Sequence, residues 1–582
     1  MRTTLAAAAA AALLSLSSCS DVLLDAMAKE AVKESRPSSL DPASGTMIAA
    51  HEEIVLVFTK DMGESKLEVS GSLGPIDPEL SSGARKNDTL ILRPADSEWS
   101  AGTGRELVVK VSEGGYTSSF EYSFEVFRGV CVRGGASNAS DSDTELEGSQ
   151  RYPNATIQGA IANARAKYPS GAVQVRVAPH VGGSDYYAVD GTSESDRITC
   201  VEGVSILGGC SDDWKSRDAA ANICTIQASA TANAKSIALL CGSGITRATV
   251  IEGLSIVGAT VTGNASSYAI SCQAGAKPTI RDCRILAGAE DASSVAPNLY
   301  AIGVGGVSGK SGPAILGCSI NDSVSCGGGD ALGCYGIYLV GSFYDDALVE
   351  GSLIHGGVAN GTSGWSAAIY VEGQNGSASI ASNEIRGGSA AYGYGLLVFG
   401  SDPTGAVTIH NNLILSAAPL GASQLAGVYL WGVSDDVALR NNTIVATVAS
   451  SSPVFGLYCD SNAEPVLQND IIHIPHVDGT YTCFAFHDTN DGYVDPENCS
   501  LSCDVAYCFG ASNTPSVLGL GGTGNLTDDP QLDAEYQPGA SAVRTGGLNG
   551  NDLGWPFSDD KDGRARTPAS GAGWSMGCYE VD

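Results

Sequence analysis

One short pattern returns along this chain: a small or aromatic residue, a small residue, an aliphatic residue, any residue, an aliphatic residue. Its copies begin at Ile237, Tyr268, Tyr300, Tyr335, Ala367, Tyr394, Ala426 and Phe455, at steps of 27 to 35 residues. A second pattern follows each copy: VIEGLSI, TIRDCRI, AILGCSI, LVEGSLI, SIASNEI, TIHNNLI, ALRNNTI and VLQNDII. Its last position is always isoleucine, from Ile256 to Ile472, and its second position is always aliphatic, from Ile251 to Leu467. These are short, period-two apolar segments joined by turns of variable length. One such unit cannot bury its inner face, whereas stacked units bury it continuously.

The period is too long for hexapeptide coils, and no helical period supports leucine-rich or all-helical repeats. A propeller would need four strands per blade, which these repeats lack. The expected fold class is therefore all-β: a right-handed parallel β-helix solenoid, one coil per repeat, with length variation absorbed in one looped corner. The fifth position of the second pattern reads Leu254, Cys283, Cys318, Ser352, Asn383, Asn412, Asn442 and Asp470. Asparagine tolerates left-handed geometry and hydrogen-bonds its own turn, so this corner is expected to stack into a ladder. It resembles the asparagine ladder of pectate-lyase-like β-helices, where the role is structural.

Two flanking segments extend the resemblance. Residues 155–164 (ATIQGAIANA) carry Ile157, Ile161 and Ala164 on one helical face; VQVRVA and GVSILGG follow. This succession looks like the N-terminal entry of exported bacterial β-helix proteins, whose helix covers the first coil. At the far end, Asp562, Gly563, Arg566, Gly577, Tyr579 and Glu580 resemble the gapped DGxxR…DIGAYE tail of such proteins; Ser575, Met576 and Cys578 depart from it. The resemblance covers about residues 130–582 and implies the fold, not a function.

The chain begins MRTTLAAAAAAALLSLSSCSD. Arg2 before a short apolar run reads as an export signal, too short for a membrane span. Leu16-Ser17-Ser18-Cys19 resembles the lipobox of bacterial lipoproteins, which implies a diacylated Cys19 at the mature N-terminus and attachment to the membrane. Ser20 in place of aspartate implies the outer membrane or cell surface. Of 17 cysteines, 16 remain after Cys19, all between Cys131 and Cys578. Without metal-type spacing, an exported chain is expected to use them in disulfides. The register places Cys241 with Cys272 and Cys283 with Cys318 on adjacent coils; unbonded stacks are the alternative.

Residues 41–128 alternate over Glu53–Phe58, Thr89–Leu92, Glu106–Val111 and Phe120–Val126, with Gly and Pro clusters between. The segment resembles the bacterial Ig-like β-sandwiches of surface proteins, usually spacers. The expected organisation is a signal peptide and lipobox over 1–19, a tether over 20–40, the sandwich over 41–128 and the β-helix over 129–582. Within the last, the N-cap spans about 150–235, the coils about 236–480 and the C-terminal cap about 520–582.

Lys and Arg total 32 against 64 Asp and Glu, a net charge of −32. That excludes a nucleic-acid partner, since nothing would neutralise phosphates. It also disfavours anionic polysaccharides unless cations bridge. In the first pattern, positions three and five should point inward and positions four and six outward. From Tyr338 onward the outward positions bring Tyr338, Tyr370, Glu372, Phe399, Tyr429, Trp431, Tyr458 and Asp460 into one column. Stacked aromatics suit the apolar C–H face of sugar rings, and Glu372 and Asp460 offer partners for hydroxyls. The alternative is that segments 356–366 and 416–425 fold over this face and bury it.

Catalytic tools are sparse. The Asn-Thr-Asp, paired-Asp, Gly-His-Gly and Arg-Ile-Lys sequence of polygalacturonase-like hydrolases is missing, and no outward column holds the arginine that a pectate lyase uses as base. Asp345-Asp346 and Asp435-Asp436 occupy equivalent turns, which reads as structural, and His410 as a surface residue. Residues 488–495 have the composition of a calcium loop without its ligand spacing; a plain Asx-rich turn is the leading reading and bound calcium the alternative, and no other metal or cofactor is expected. Three readings stay open: a binding or adhesive surface protein with a glycan ligand, a polysaccharide lyase or glycoside hydrolase, and a structural surface component.

Overall fold

Period-two alternation builds strands over most of the chain, and contacts group them into two units. The structure is a computed structural model. It describes residues 36–580 apart from 114–115, 142–146, 183–184, 190–196, 233–234, 263–264, 291–296, 306–308, 323–332, 341–343, 360–362, 373–375, 401–404, 417, 448–452, 461–462, 475–482, 489–499, 504–529, 541–543, 545–556 and 567–573.

The first unit runs to Val181 and includes Cys210–Asp218. It holds two four-stranded sheets. In one, Pro37–Asp41, Ile54–Phe58, Thr89–Pro94 and Ile76–Ser81 are neighbours in that order; in the other, Met47–Ala49, Tyr116–Phe127, Gly102–Glu113 and Lys66–Gly71. Their inner residues, among them Leu56, Leu92, Trp99, Val109 and Phe124, form one core. Trp99 donates its indole N–H to the Glu52 carbonyl at 2.6 Å, so the polar edge of the largest core ring is satisfied. Among the described residues the one long helix, Ile157–Lys167, starts at Thr156, whose hydroxyl caps Gly159 N–H. It packs on the parallel strands Gly129–Val132 and Val173–Val177.

The second unit, Gly182–Gly209 with Ala219–Asp582, is the solenoid. Three parallel sheets run along it. The first pattern forms one face, stacking Ser236–Cys241, Ser266–Cys272, Asn298–Val304, Gly333–Val340, Trp365–Glu372, Ser389–Phe399, Ala418–Trp431 and Val454–Asp460. The second pattern splits at its fifth residue: its first half stacks into a second face and its last residues into a third. Aliphatics fill the inside in columns. Position three of the first pattern, Leu239 to Leu457, and the closing isoleucines of the second, Ile256 to Ile472, are fully buried on every coil. Each contributes about 1.5–3 kcal/mol of transfer free energy, an upper figure because unfolded chains are partly compact.

The corner between the second and third faces is a ladder. Asn383 and Asn412 each take their backbone N–H to the side-chain oxygen of the next rung, Asn412 and Asn442, at 3.0 and 3.1 Å. The amide groups repeat the contact at 3.0 Å and also donate to Val349 O and Ile380 O. Asn442 closes the series on Asp470 at 2.7 and 2.9 Å. The left-handed residue, however, is not the ladder residue. It is the one before it: Gly253, Asp282, Gly317, Gly351, Ser382, Asn411, Asn441 and Asn469, with φ between 52° and 66°. The ladder residue is thereby freed to turn its side chain inward.

The eleven cysteines whose side chains are described are unbonded, so the expected bridges are absent there. They stack as thiols instead. Cys200, Cys241 and Cys272 share one inward column, with 3.5 Å between the Cys241 and Cys200 sulfurs. Cys283 and Cys318 donate to carbonyls of their own corner, Arg281 O and Leu316 O. In-register parallel strands bring the sulfurs close, yet packing into aliphatic columns holds them at van der Waals range rather than at the ~2.05 Å of a bond.

The tail docks along the side of the solenoid. Arg566, fully buried, donates to Asn411 Oδ1 (2.9 Å), to the Ser575 and Gly577 carbonyls and to Glu580. Gly577 N–H reaches Asn469 O at 2.6 Å and Cys578 N–H reaches Thr443 Oγ1 at 3.1 Å. The matched tail motif therefore knits itself through one arginine and lies across the left-handed corner of three successive coils.

Candidate functional site

The first face owes its character to the second position of its pattern, which is always Ala or Gly: Ala238, Ala269, Ala301, Gly336, Ala368, Gly395, Gly427 and Gly456. A Cβ at Gly336 would stand 2.5 Å from Ala368 O and 2.9 Å from Ile354 Cγ2; one at Gly427 would stand 2.6 Å from Ile444 Cγ2. This position therefore faces the interior beside position three, and strict alternation breaks between them. Positions one and four are left facing out together.

The result is two lanes of rings, where alternation alone gives one. The expected lane is present: Tyr338, Tyr370, Tyr429 and Tyr458 lie in register at position four, and Glu372, Phe399, Trp431 and Asp460 at position six. The added lane, at position one, is Tyr268, Tyr300, Tyr335, Tyr394 and Phe455. Ring centroids are 4.5 Å apart for Tyr268–Tyr300 and 5.0 Å for Tyr300–Tyr338. They are 4.9 Å for Tyr338–Tyr370, 5.2 Å for Tyr394–Tyr429 and 5.0 Å for Tyr429–Tyr458. Trp365 and Tyr392 stack at 5.1 Å beside them. Phe399 and Trp431 are parallel at 4.1 Å. The invariant small residue at position two was the sequence signal for this lane.

Tyr338, Tyr370, Phe399, Trp431 and Tyr458 are half-buried, whereas Tyr429 and the added lane from Tyr300 on are buried, Tyr394 completely, as one packed cluster. The segments expected to fold over them are largely strand. Val358–Ala359 pairs with Ser389–Ala390, and Ala418–Trp431 extends the face as one strand. They widen the sheet, and both segments also pack on its rings: Trp365 lies 5.8 Å from Tyr394, and Gln424 accepts the Tyr394 hydroxyl at 3.5 Å.

Both carboxylates of the strip are engaged by its tyrosines. Tyr338 Oη donates to Glu372 at 2.6 Å and Tyr429 Oη donates to Asp460 at 3.2 Å. Burial first, and the neighbouring carboxylate second, hold both phenols protonated well above their ordinary range. Glu372, Phe399, Trp431 and Asp460 occupy successive rungs of one column. At a strand spacing of ~4.8 Å, Glu372 and Asp460 stand ~14 Å apart. That exceeds both the ~5–5.5 Å of a retaining and the ~6.5–9.5 Å of an inverting glycosidase pair. The two cannot act together on one bond.

The other candidates are structural. Asp345 accepts Ser377 Oγ at 2.7 Å, a contact that holds its carboxyl below the usual range, and Asp346 pairs with Lys277 and Arg247 at 3.7 and 3.8 Å. His410 stacks on Phe557 at 4.2 Å, and burial lowers it to about 4; it is covered by the tail, where the sequence suggested a surface residue. Cys19 and the turn at 489–495 lie outside the described residues. Among the described residues no cluster of His, Cys, Asp and Glu has metal-site geometry, and no helix is long and apolar enough to cross a membrane.

Comparison with known proteins bears on the fold. No curated protein and no solved structure matches the chain. A family model does: the one described as right handed beta helix region matches residues 199–444, which is under half of the chain and covers the ladder corner and most of the aromatic face. By that match and by its three stacked parallel sheets, this is a right-handed parallel β-helix protein.

Proposed function

We propose that the protein is a lipid-anchored component of the bacterial cell envelope, at the outer membrane or cell surface, that binds a glycan along the first face of its β-helix. The observation that carries the reading is the half-buried set of rings at positions four and six, backed by the buried position-one lane, with carboxylates hydrogen-bonded to its tyrosines. A solvated sheet face is ordinarily polar, and a contiguous apolar patch of half-buried rings marks a contact surface. Flat rings at a fixed pitch match the C–H faces of successive sugars, while tyrosine hydroxyls and carboxylate oxygens match their hydroxyls. The two-sheet N-terminal segment serves as an Ig-like spacer between the anchor at Cys19 and the binding face.

The test is a glycan array and polysaccharide pull-down with the full chain in detergent, assaying products on every hit. Binding lost in Tyr370→Ala/Trp431→Ala, with unchanged circular dichroism and no products, supports the reading. Released products would move the protein to the lyases or hydrolases; no binding by the wild type would leave a structural component. Fatty-acid labelling that persists in Cys19→Ala would remove the anchor.

A further inference from the structure

The charge of the binding face selects among glycans, and this step rests on the glycan reading above. Between Lys310 and Arg544 the sequence contains no lysine and only two arginines, Arg386 and Arg440. Neither lies on the aromatic face. Arg386 is on the third face, where its Nε reaches Glu384 at 2.6 Å; Arg440 is on the second face and donates to Gln468 at 2.9 Å. The aromatic face thus runs from the Tyr300 rung to the Asp460 rung, six rungs, without a lysine or arginine side chain. Among the described side chains its charged outward positions are Glu372 and Asp460.

A polyuronate laid on this surface would bring a carboxylate per sugar against two fixed carboxylates with nothing to neutralise it. A protonated amine meets the opposite situation. Glu372 accepts the Tyr338 hydroxyl and Asp460 those of Tyr429 and Tyr458; a carboxylate offers about four lone-pair sites, enough for a further donor, and the half-buried rings beside them offer π-faces that attract cations. The molecule provides its own example: at the start of the position-one lane, Lys235 Nζ sits 4.4 Å over the ring of Tyr268. That ring stacks directly on Tyr300, the next of the lane. Among the described residues, no lysine or arginine lies over the half-buried rings from Tyr338 to Tyr458.

We infer that the face from Tyr335 to Asp460 takes an amine-bearing glycan, a chain of protonated amino sugars. The rings carry the sugar faces, and Glu372 and Asp460 receive ammonium groups near the two ends of the bound stretch. The Phe399–Trp431 pair between them supplies an uncharged platform.

The experiment is a titration of Trp fluorescence with three matched sets of oligosaccharides: glucosamine oligomers, their N-acetylated counterparts and galacturonate oligomers. Glucosamine oligomers should bind about tenfold tighter than the acetylated ones, the preference expected of two partly exposed charge contacts. The preference should shrink toward unity in Glu372→Gln/Asp460→Asn and at high salt, while acetylated oligomers keep their affinity in that variant. Equal binding of aminated and acetylated oligomers, or binding of galacturonates as tight as either, overturns the amine preference and leaves the glycan reading standing. Failure of all three sets, and of every glycan on the array, overturns both.

Discussion

Asp470 closes the ladder with a group that the rungs above it do not use. It is completely buried, accepts both donors of Asn442 through Oδ1, and its Oδ2 has no hydrogen-bond partner among the described residues. Burial raises its pKa to about 7, against the opposing pull of the Asn442 contacts and Arg440. The unfolded chain gives up this proton near pH 4, whereas the native state keeps it until about pH 7. Between those values the native state binds more protons, so stability falls as pH rises and levels off above pH 7. The span of roughly 3 pH units at 1.36 kcal/mol each amounts to about 4 kcal/mol, of which about 2–3 falls between pH 5 and pH 8. Asp470→Asn keeps the accepting oxygen and never ionises. Urea unfolding followed by circular dichroism at pH 5 and pH 8 should show the variant gaining on the wild type by about 2–3 kcal/mol over that interval. Parallel stability curves for the two proteins would refute the reasoning.

Three further outcomes follow from the same geometry. Asn412→Ala removes the acceptor of two Asn383 donors and strands a buried N–H; urea titration should register a loss of about 3 kcal/mol, while Asn412→Ser should lose less. Gly427→Val places carbons against Ile444 Cγ2; it should destabilise by at least the ~1–3 kcal/mol of overpacking, read as a lowered thermal midpoint. Contact with Cys200 and Cys272 and then burial raise the Cys241 thiol well above its usual range, and burial does the same for Cys283. Both should resist alkylation in the native protein and react on unfolding, which peptide mass spectrometry can follow.

Much of this fold could be read from residues alone because its core is written in repeats. Ile256 through Ile472 and Leu239 through Leu457 are inward by simple alternation, and the structure buries all of them. The ladder was legible for the same reason. Two features were not. Alternation carried back from position three assigns Tyr300 and Tyr335 to the interior; the chain instead bends at Ala301 and Gly336, where a Cβ on the glycine would meet Ala368 O of the next coil and Ile354 of its own, and the two rings are buried outside the aliphatic columns. The left-handed geometry was assigned to the asparagines that build the ladder, although the preceding column, rich in Gly, Asn and Asp, already carried that signal. The docking of Arg566 on Asn411 joins residues 155 positions apart, and no local pattern records such a contact. Of the candidate site, alternation places the Tyr338-to-Asp460 column; it says nothing of the hydrogen bonds that tie each carboxylate to a ring.

The bend at position two has a consequence for how such a surface can change. Each of the eight coils carries alanine or glycine there, so each presents its rings at the same height and at one fixed increment along the axis. The face is in effect a ruler, graduated in strands. Duplicating or deleting a whole coil would lengthen or shorten the ruler by one graduation and leave the remaining marks in place, because each rung answers only to its neighbours. Substituting a single ring, by contrast, would erase one mark without altering the scale. The reach of the surface and the chemistry of each step along it can therefore vary independently.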